Sequence, residues 1–185
     1  EMRDDRLEAG LGAYRNVDAS SSLYLDARIR AAFILNALDR SDEGIGMLAA
    51  MVEDYPEEPR LLQAIGNILR DQEEYAEAVG YYDEAIEILG EPEPEHWLYY
   101  YARGICYERM KVWHEAEVDL QKALELNPDQ ASVMNYLGYS WVDQNMHLEE
   151  AMDLIREAVR REPNNGYYVD SLGWAHFQEG NYQEA

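Results

Sequence analysis

Cysteine is almost missing from this chain. Cys106 is the only one, which excludes an internal disulfide framework and leaves no CxxC pair to hold zinc. Basic residues are also scarce: Lys plus Arg number 15 against 38 Asp plus Glu, a formal charge of −23. Nonspecific nucleic-acid binding rests on neutralising phosphates, so that role is disfavoured. Anionic lipid surfaces are disfavoured for the same reason. No apolar run approaches the roughly 18 residues a membrane-spanning helix needs, so no insertion by this segment is expected. The patterns HExxH, G-x-S-x-G, P-loop and EF-hand are all absent, so the sequence offers no catalytic or cofactor-binding motif. We therefore expect no enzyme, no cofactor and no metal site. Composition does not fix the compartment.

Apolar material is plentiful. Hydrophobic residues make up 47% and aromatics 11% of the 185 residues, enough for a sizeable core in one domain or a short repeat array. Disorder is excluded on the same ground. The tyrosines, 15 in number, fall mostly at packing positions, among them Tyr75, Tyr82, Tyr100 and Tyr107. Cys106, between Ile105 and Tyr107, reads as a small packing residue.

The informative feature is internal periodicity. Small residues recur at Ala32, Gly66, Gly104, Gly138 and Gly173, and again at Gly44, Ala78, Ala116, Ala151 and Ala185. Met51, Ala85, Ala123 and Ala158 repeat in step, as do Pro56, Gly90, Pro128 and Pro163. All four series share one period of about 34 residues, the length of a two-helix repeat. In residues 97–130, Tyr100, Arg103–Gly104 and Tyr107 lie at helical spacing. A turn near Lys111 resets the phase, and Trp113, Ala116, Leu120, Ala123 and Leu124 form a second stripe. Asn127-Pro128-Asp129 breaks that helix, because proline disfavours helical backbone in the residue before it. The pattern predicts a strand-free chain with helix turns near residues 40, 72, 111, 145 and 180. Gly104 and Gly138 are expected at close helix crossings, where a larger side chain would overfill the contact.

Two irregularities interrupt the period. Between Leu89 and Trp97 the string Gly-Glu-Pro-Glu-Pro-Glu-His adds four residues, and Pro92 and Pro94 are expected to stiffen it toward an extended form. One further residue is inserted between Gly138 and Ala151, near Gln144-Asn-Met-His147, where Asn145 suits a left-handed helix terminator.

The strings around Met134, Leu137-Gly138, Trp141 and Pro163, and around Val169, Leu172-Gly173 and His176, resemble the tetratricopeptide repeat pattern W-x2-L-G-x2-Y…A…P. The resemblance implies an all-α, right-handed solenoid of antiparallel helix–turn–helix units. Its register places full units at 25–58, 59–92, 97–130 and 131–165, with an acidic, proline-containing insertion at 93–96. Residues 1–18 resemble a second helix without its first, and 166–185 a first helix with the beginning of its second. The chain is thus expected to be part of a longer array, associating weakly with itself through open ends.

The same resemblance implies a concave groove lined by the first helices of each unit. Its inward positions fall on Phe33 in the first full unit and on Gln63, Asn67 and Arg70 in the second. In the third they are Tyr101, Ile105 and Arg109, and in the fourth Asn135 and Tyr139. The last unit supplies Tyr167, Asp170, Trp174 and Phe177. Aromatic, Arg and Asn side chains together suit capture of a peptide or partner helix. Trp174 and Phe177 could alternatively pack on further helices of a longer chain. The carboxylate clamp that holds chaperone tails is excluded, since Ile29, Phe33, Tyr101, Ile105, Tyr136, Tyr167 and Ser171 stand where its cations and amides would be.

Residues 131–185 also resemble repeat proteins of the proteobacterial envelope, carried by Tyr139 with its longer turn and by Asp170-Ser-Leu-Gly-Trp174. Many such proteins are outer-membrane lipoproteins, and some bring substrates to a carboxyl-terminal processing protease. This implies a periplasmic or outer-membrane-associated adaptor, with a cytoplasmic location the alternative. Asp71 to Glu95 carries ten acidic residues and no basic one. It reads either as a solvated face or as a patch steering a basic partner, which gives the alternative of an acidic secretion-type chaperone. A purely structural assembly subunit is the third reading. His114-Glu115 and His147 with Glu149 and Glu150 are metal-like pairings, and both start second helices, where carboxylates meet the helix dipole.

Overall fold

The computed structural model describes residues 2–183. Among the described residues it contains ten α-helices, one short 3-10 turn and no strand. The helices group into two compact units, Glu1–Glu91 and Pro92–Ala185.

The first unit holds α1 (Met2–Arg15), α2 (Tyr24–Ala37), α3 (Ser41–Asp54), α4 (Pro59–Asp71) and α5 (Tyr75–Leu89). Short turns force α2 against α3 and α4 against α5 as antiparallel hairpins. Helix α4 begins where the sequence says it should. Pro59 sits in its first turn, and the Glu58 carboxylate caps it by accepting from the Arg60 backbone N–H. One face of α4, through Leu61, Leu62, Ile65, Ile68 and Leu69, is buried almost completely. Leu11 of α1 packs with Ala31 and Leu35 of α2 in a smaller cluster.

The second unit holds the 3-10 turn (Pro94–His96), α6 (Trp97–Arg109), α7 (Trp113–Leu126), α8 (Ala131–Asp143), α9 (Leu148–Arg161) and α10 (Gly166–Gln178). Its core joins Leu120, Leu137, Trp141, Met152, Ile155 and Ala175. Cys106 is buried in α6, in keeping with a packing role.

The turns lie at the expected places and share one geometry. Asp39, Glu73, Lys111, Asn145 and Gly180 all adopt left-handed backbone, with φ of 57, 65, 61, 54 and 79°. The residue after each donates its N–H to a carbonyl five positions back: Arg40 to Leu35, Glu74 to Leu69, Val112 to Tyr107, Met146 to Trp141 and Asn181 to His176. Those bonds measure 2.8–2.9 Å. This is the Schellman closure, which satisfies carbonyls orphaned at a helix C-terminus. Only one of the five residues is glycine, so four turns hold a side chain in a disfavoured backbone region. Asn145 takes the terminator role assigned to it. Ala185, the last member of its small-residue series, lies outside the described residues.

Small residues mark the closest helix approaches. A Cβ on Gly66 would stand 2.9 Å from the Tyr82 ring, and one on Gly104 would stand 3.0 Å from Leu120. On Gly138 it would meet the Ala151 carbonyl oxygen and Ile155, each at 2.8 Å.

The insertion before α6 is only partly extended, contrary to the expectation from its prolines. Glu93 is extended, but Pro94–His96 fold into the 3-10 turn that runs directly into α6. The reason is a reciprocal cap: the Glu93 N–H donates to His96 Nδ1 at 3.0 Å, and the Glu93 side chain accepts from the His96 backbone. Pro94, at the first position, is already set for helical φ.

The residue inserted between α8 and α9 is accommodated by His147, whose φ is 44°. Its ring lies over Trp141, with centroids 5.0 Å apart. Trp141 Nε1 donates to Glu117 at 2.8 Å, and His147 Nε2 lies 3.8 Å from the same oxygen. His147 thus faces Trp141 and Glu117, and the metal-like pairing with Glu149 and Glu150 gives way to this contact.

Candidate partner-binding surfaces

In the first unit, the exposed face of α2 and the following α4 form a cleft of about 400 Å³. Phe33, Gln63 and Asn67, three of the sequence candidates, line it together with Asp26, Ile29, Arg30, Arg60 and Ala64. The i, i+3, i+4, i+7 spacing of Asp26, Ile29, Arg30 and Phe33 puts them on one helix face. Asn67 is held from behind, its Oδ1 accepting from the Tyr82 hydroxyl at 2.9 Å. Arg60 is fixed by Glu58 at 2.7 Å and Asp26 at 2.8 Å. Hydrogen bonding to Glu58 foremost, then charge, hold its guanidinium well above its ordinary value and keep Glu58 below the usual carboxylate range. Arg70 does not line the cleft; its guanidinium lies 3.6 Å from Asp71.

In the second unit, α6, α8 and α10 enclose a cleft of about 490 Å³. Tyr101, Asn135, Tyr139, Tyr167 and Asp170 line it, joined by Tyr136, Tyr168, Ser132, Asn165 and Ser171. Tyr139 and Asp170 also border a neighbouring hollow of about 620 Å³, whose other walls are Val169, Gly173, Trp174 and Phe177. Tyr101 meets Tyr136 edge-on, with centroids 6.0 Å apart. Tyr136 is anchored by donating its hydroxyl to Glu108 at 2.8 Å, and burial followed by the Glu108 charge pushes its phenol far above the ordinary value. Asn165 caps α10, accepting from the Tyr167 N–H, while Ser171 donates back to the Tyr167 carbonyl. Those bonds fix the start of α10, where Tyr167 is 85% exposed.

Two polar atoms here lack partners. Asn135 Oδ1 and Trp174 Nε1 are both buried without a hydrogen bond. An unsatisfied buried polar atom costs about 1–3 kcal/mol, which a ligand group can recover. His176 Nδ1, also on α10, is in the same condition.

Ile105 and Arg109 fall outside both linings. Ile105 is half-buried on α6. Arg109 is exposed at the end of α6, and its positive charge partly offsets the upward shift of the Tyr136 and Tyr139 phenols. Sequence reading missed Tyr136 and Tyr168, each adjacent to a residue it did select. A face of an α-helix is wider than one residue per turn, and that is the signal that would have found them. A separate gathering, Glu93, Glu95 and His96, brings three ligand-type atoms within 4.8 Å. Its His96 Nδ1 is already engaged by the Glu93 N–H.

Two overlapping stretches, 57–129 and 112–166, match families described as tetratricopeptide repeat. The chain is similar to a TPR repeat-containing protein of Pseudomonas aeruginosa, 28% identical over 170 residues, covering 88% of this chain and 27% of that protein. It is also similar to a lipoprotein NlpI homolog of Haemophilus influenzae, 30% identical over 87 residues, covering 46% of this chain and 27% of that one. The chain therefore spans about a quarter of the length of these relatives. Among solved structures, YrrB, described as a TPR protein with an unusual peptide-binding site, matches with a TM-score of 0.67. That match covers 96% of this chain and 87% of the other at 18% identity, a likeness of fold.

Proposed function

This chain belongs to the tetratricopeptide repeat family, whose members are in general protein-interaction modules, and on that premise we propose that it is a non-enzymatic scaffold capturing a peptide or partner helix. Capture uses the exposed faces of the first helices. The observation that carries the reading is the cleft of the second unit, lined by five tyrosines with Asn135 and Asp170, where the Asn135 Oδ1 has no partner within the chain. Folding leaves that acceptor unsatisfied, and a backbone N–H of a bound segment would satisfy it. The cleft of the first unit, with Phe33, Gln63 and Asn67 beside Arg30 and Arg60, offers a second contact region of different charge. Arg70, Ile105 and Arg109 line neither cleft.

A narrower role as an adaptor in the proteobacterial envelope, presenting substrates to a protease or cell-wall enzyme, is supported by similarity to the Haemophilus lipoprotein homolog. The acidic stretch from Asp71 to Glu95 favours a second reading, an acidic chaperone for a basic client.

Affinity capture from the native organism separates these. Replacing Tyr101 and Tyr139 by Ala should remove the specific partner while the far-ultraviolet helical signal is retained. If the partner persists in that variant but is lost on neutralising Asp83, Glu84 and Glu87, the chaperone reading replaces the cleft reading.

A further inference from the structure

The cleft of the second unit has a definite electrostatic character. Its lining contains aromatic rings and one carboxylate, Asp170, but no Lys or Arg. Beside burial, the Tyr139 phenol is raised by the negative charges of Asp143, Glu108 and Asp170, with Arg109 acting the other way. Five cations of this unit are held by carboxylates: Arg103 by Asp119, Lys122 by Glu125, Arg156 by Asp153, and Arg160 and Arg161 by Glu157; Lys111 sits in the turn after α6 and Arg109 at its end, both outside the cleft lining. A cleft so lined repels a free carboxylate and attracts a cation. Tyrosine faces add to that attraction when a cation comes within about 6 Å of a ring centroid. Asn135 lines this cleft and Trp174 the adjoining hollow, and neither the Asn135 Oδ1 nor the Trp174 indole N–H makes a hydrogen bond within the chain.

We propose that this cleft selects a lysine or arginine side chain of an extended partner segment, seating the cation among Tyr136, Tyr139 and Tyr167 beside Asp170 while Asn135 holds the segment's backbone. The assignment rests on the peptide-capture reading and names the chemistry of its partner. It also excludes acidic tails as ligands of this unit, since they would bring a negative charge to a site that already has one.

The test is selection from a random peptide library displayed on phage and panned against the chain, followed by fluorescence anisotropy with synthetic copies of the selected peptides. The selected sequences should be enriched in Lys or Arg. Replacing that residue by norleucine, which keeps the stem and removes the charge, should weaken binding about tenfold or more. Asp170→Asn should weaken the same peptides, and Asp170→Arg should shift selection toward acidic sequences; Asp170 is exposed, so both variants should fold. Peptides that depend on Tyr139 but show no basic enrichment would overturn the cation assignment and leave peptide capture standing. Failure to select any peptide, or peptides indifferent to Tyr139→Ala, would overturn capture in this cleft and the assignment with it.

Discussion

Gly138 of α8 faces the backbone carbonyl of Ala151 in α9 so closely that a Cβ would stand 2.8 Å from the oxygen. Backbone cannot step aside as a flexible side chain can. Gly138→Leu should therefore lower stability by about 1–3 kcal/mol through overpacking. Gly80 gives the opposite case, since nothing lies within 4 Å of its Cβ position inside α5. Gly80→Ala should stabilise by about 0.5–1 kcal/mol, because only the entropy of glycine in a helix is removed. Urea denaturation of the two variants should move in opposite directions.

Glu73 closes the turn between α4 and α5 with φ of 65°. Left-handed backbone costs an ordinary residue about 1–2 kcal/mol, part of which glycine returns as chain entropy. Glu73→Gly should raise the melting temperature, whereas Gly180→Val, at φ of 79°, should fray the end of α10. Thermal unfolding by circular dichroism checks the first, and amide exchange near Asn181 the second.

Arg103 and Asp119 form a two-pronged ion pair at 2.7 and 2.8 Å, with the Asp119 side chain only 4% exposed. Removing one partner of a buried pair costs about 3–5 kcal/mol, because the other charge is left without compensation. Asp119→Ala should thus be among the most damaging changes in the second unit. The double variant Asp119→Ala, Arg103→Met should recover part of the loss in a denaturant melt.

Hydrogen bonds from Arg160, then Arg161, hold the Glu157 carboxyl at about 2, down from an ordinary 4.5. A depressed folded-state value means that this contribution to stability is fully present above pH 4.5 and is lost as the pH falls toward 2. The carboxyl carbon resonance of Glu157 should titrate near the lower value. Replacing Arg160 and Arg161 by Gln should return it toward the upper one, and salt should weaken the effect because the groups are solvent-exposed.

The fold was legible because each two-helix unit must place small residues at the same crossings, and Gly66, Gly104 and Gly138 do sit at them. The turns were legible from the loss of helical phase, though their left-handed residues were not. Glu73 and Lys111 give no glycine signal; their own N–H groups bond three residues back while the next residue closes the five-back bond. Proline content misled at Pro94, where the pairing of Glu93 with His96 decides the local structure. Among the groove candidates, residues near the middle of the first helices, such as Asn67 and Asn135, line clefts. Arg70 and Arg109, at helix C-termini, fall outside those linings, and so does Ile105 in the interior of α6. The unpartnered Asn135 oxygen and the Arg103–Asp119 pair depend on three-dimensional surroundings that spacing cannot report.

The account turns on which face holds the partner. Photo-crosslinking in the native organism tests this most directly, with benzoylphenylalanine placed at Tyr139 in the cleft or at Val118, an α7 residue 51% exposed. The cleft assignment predicts a discrete adduct from position 139 that is lost on Asn135→Ala, and none from position 118. An adduct at 118 with none at 139 would contradict it.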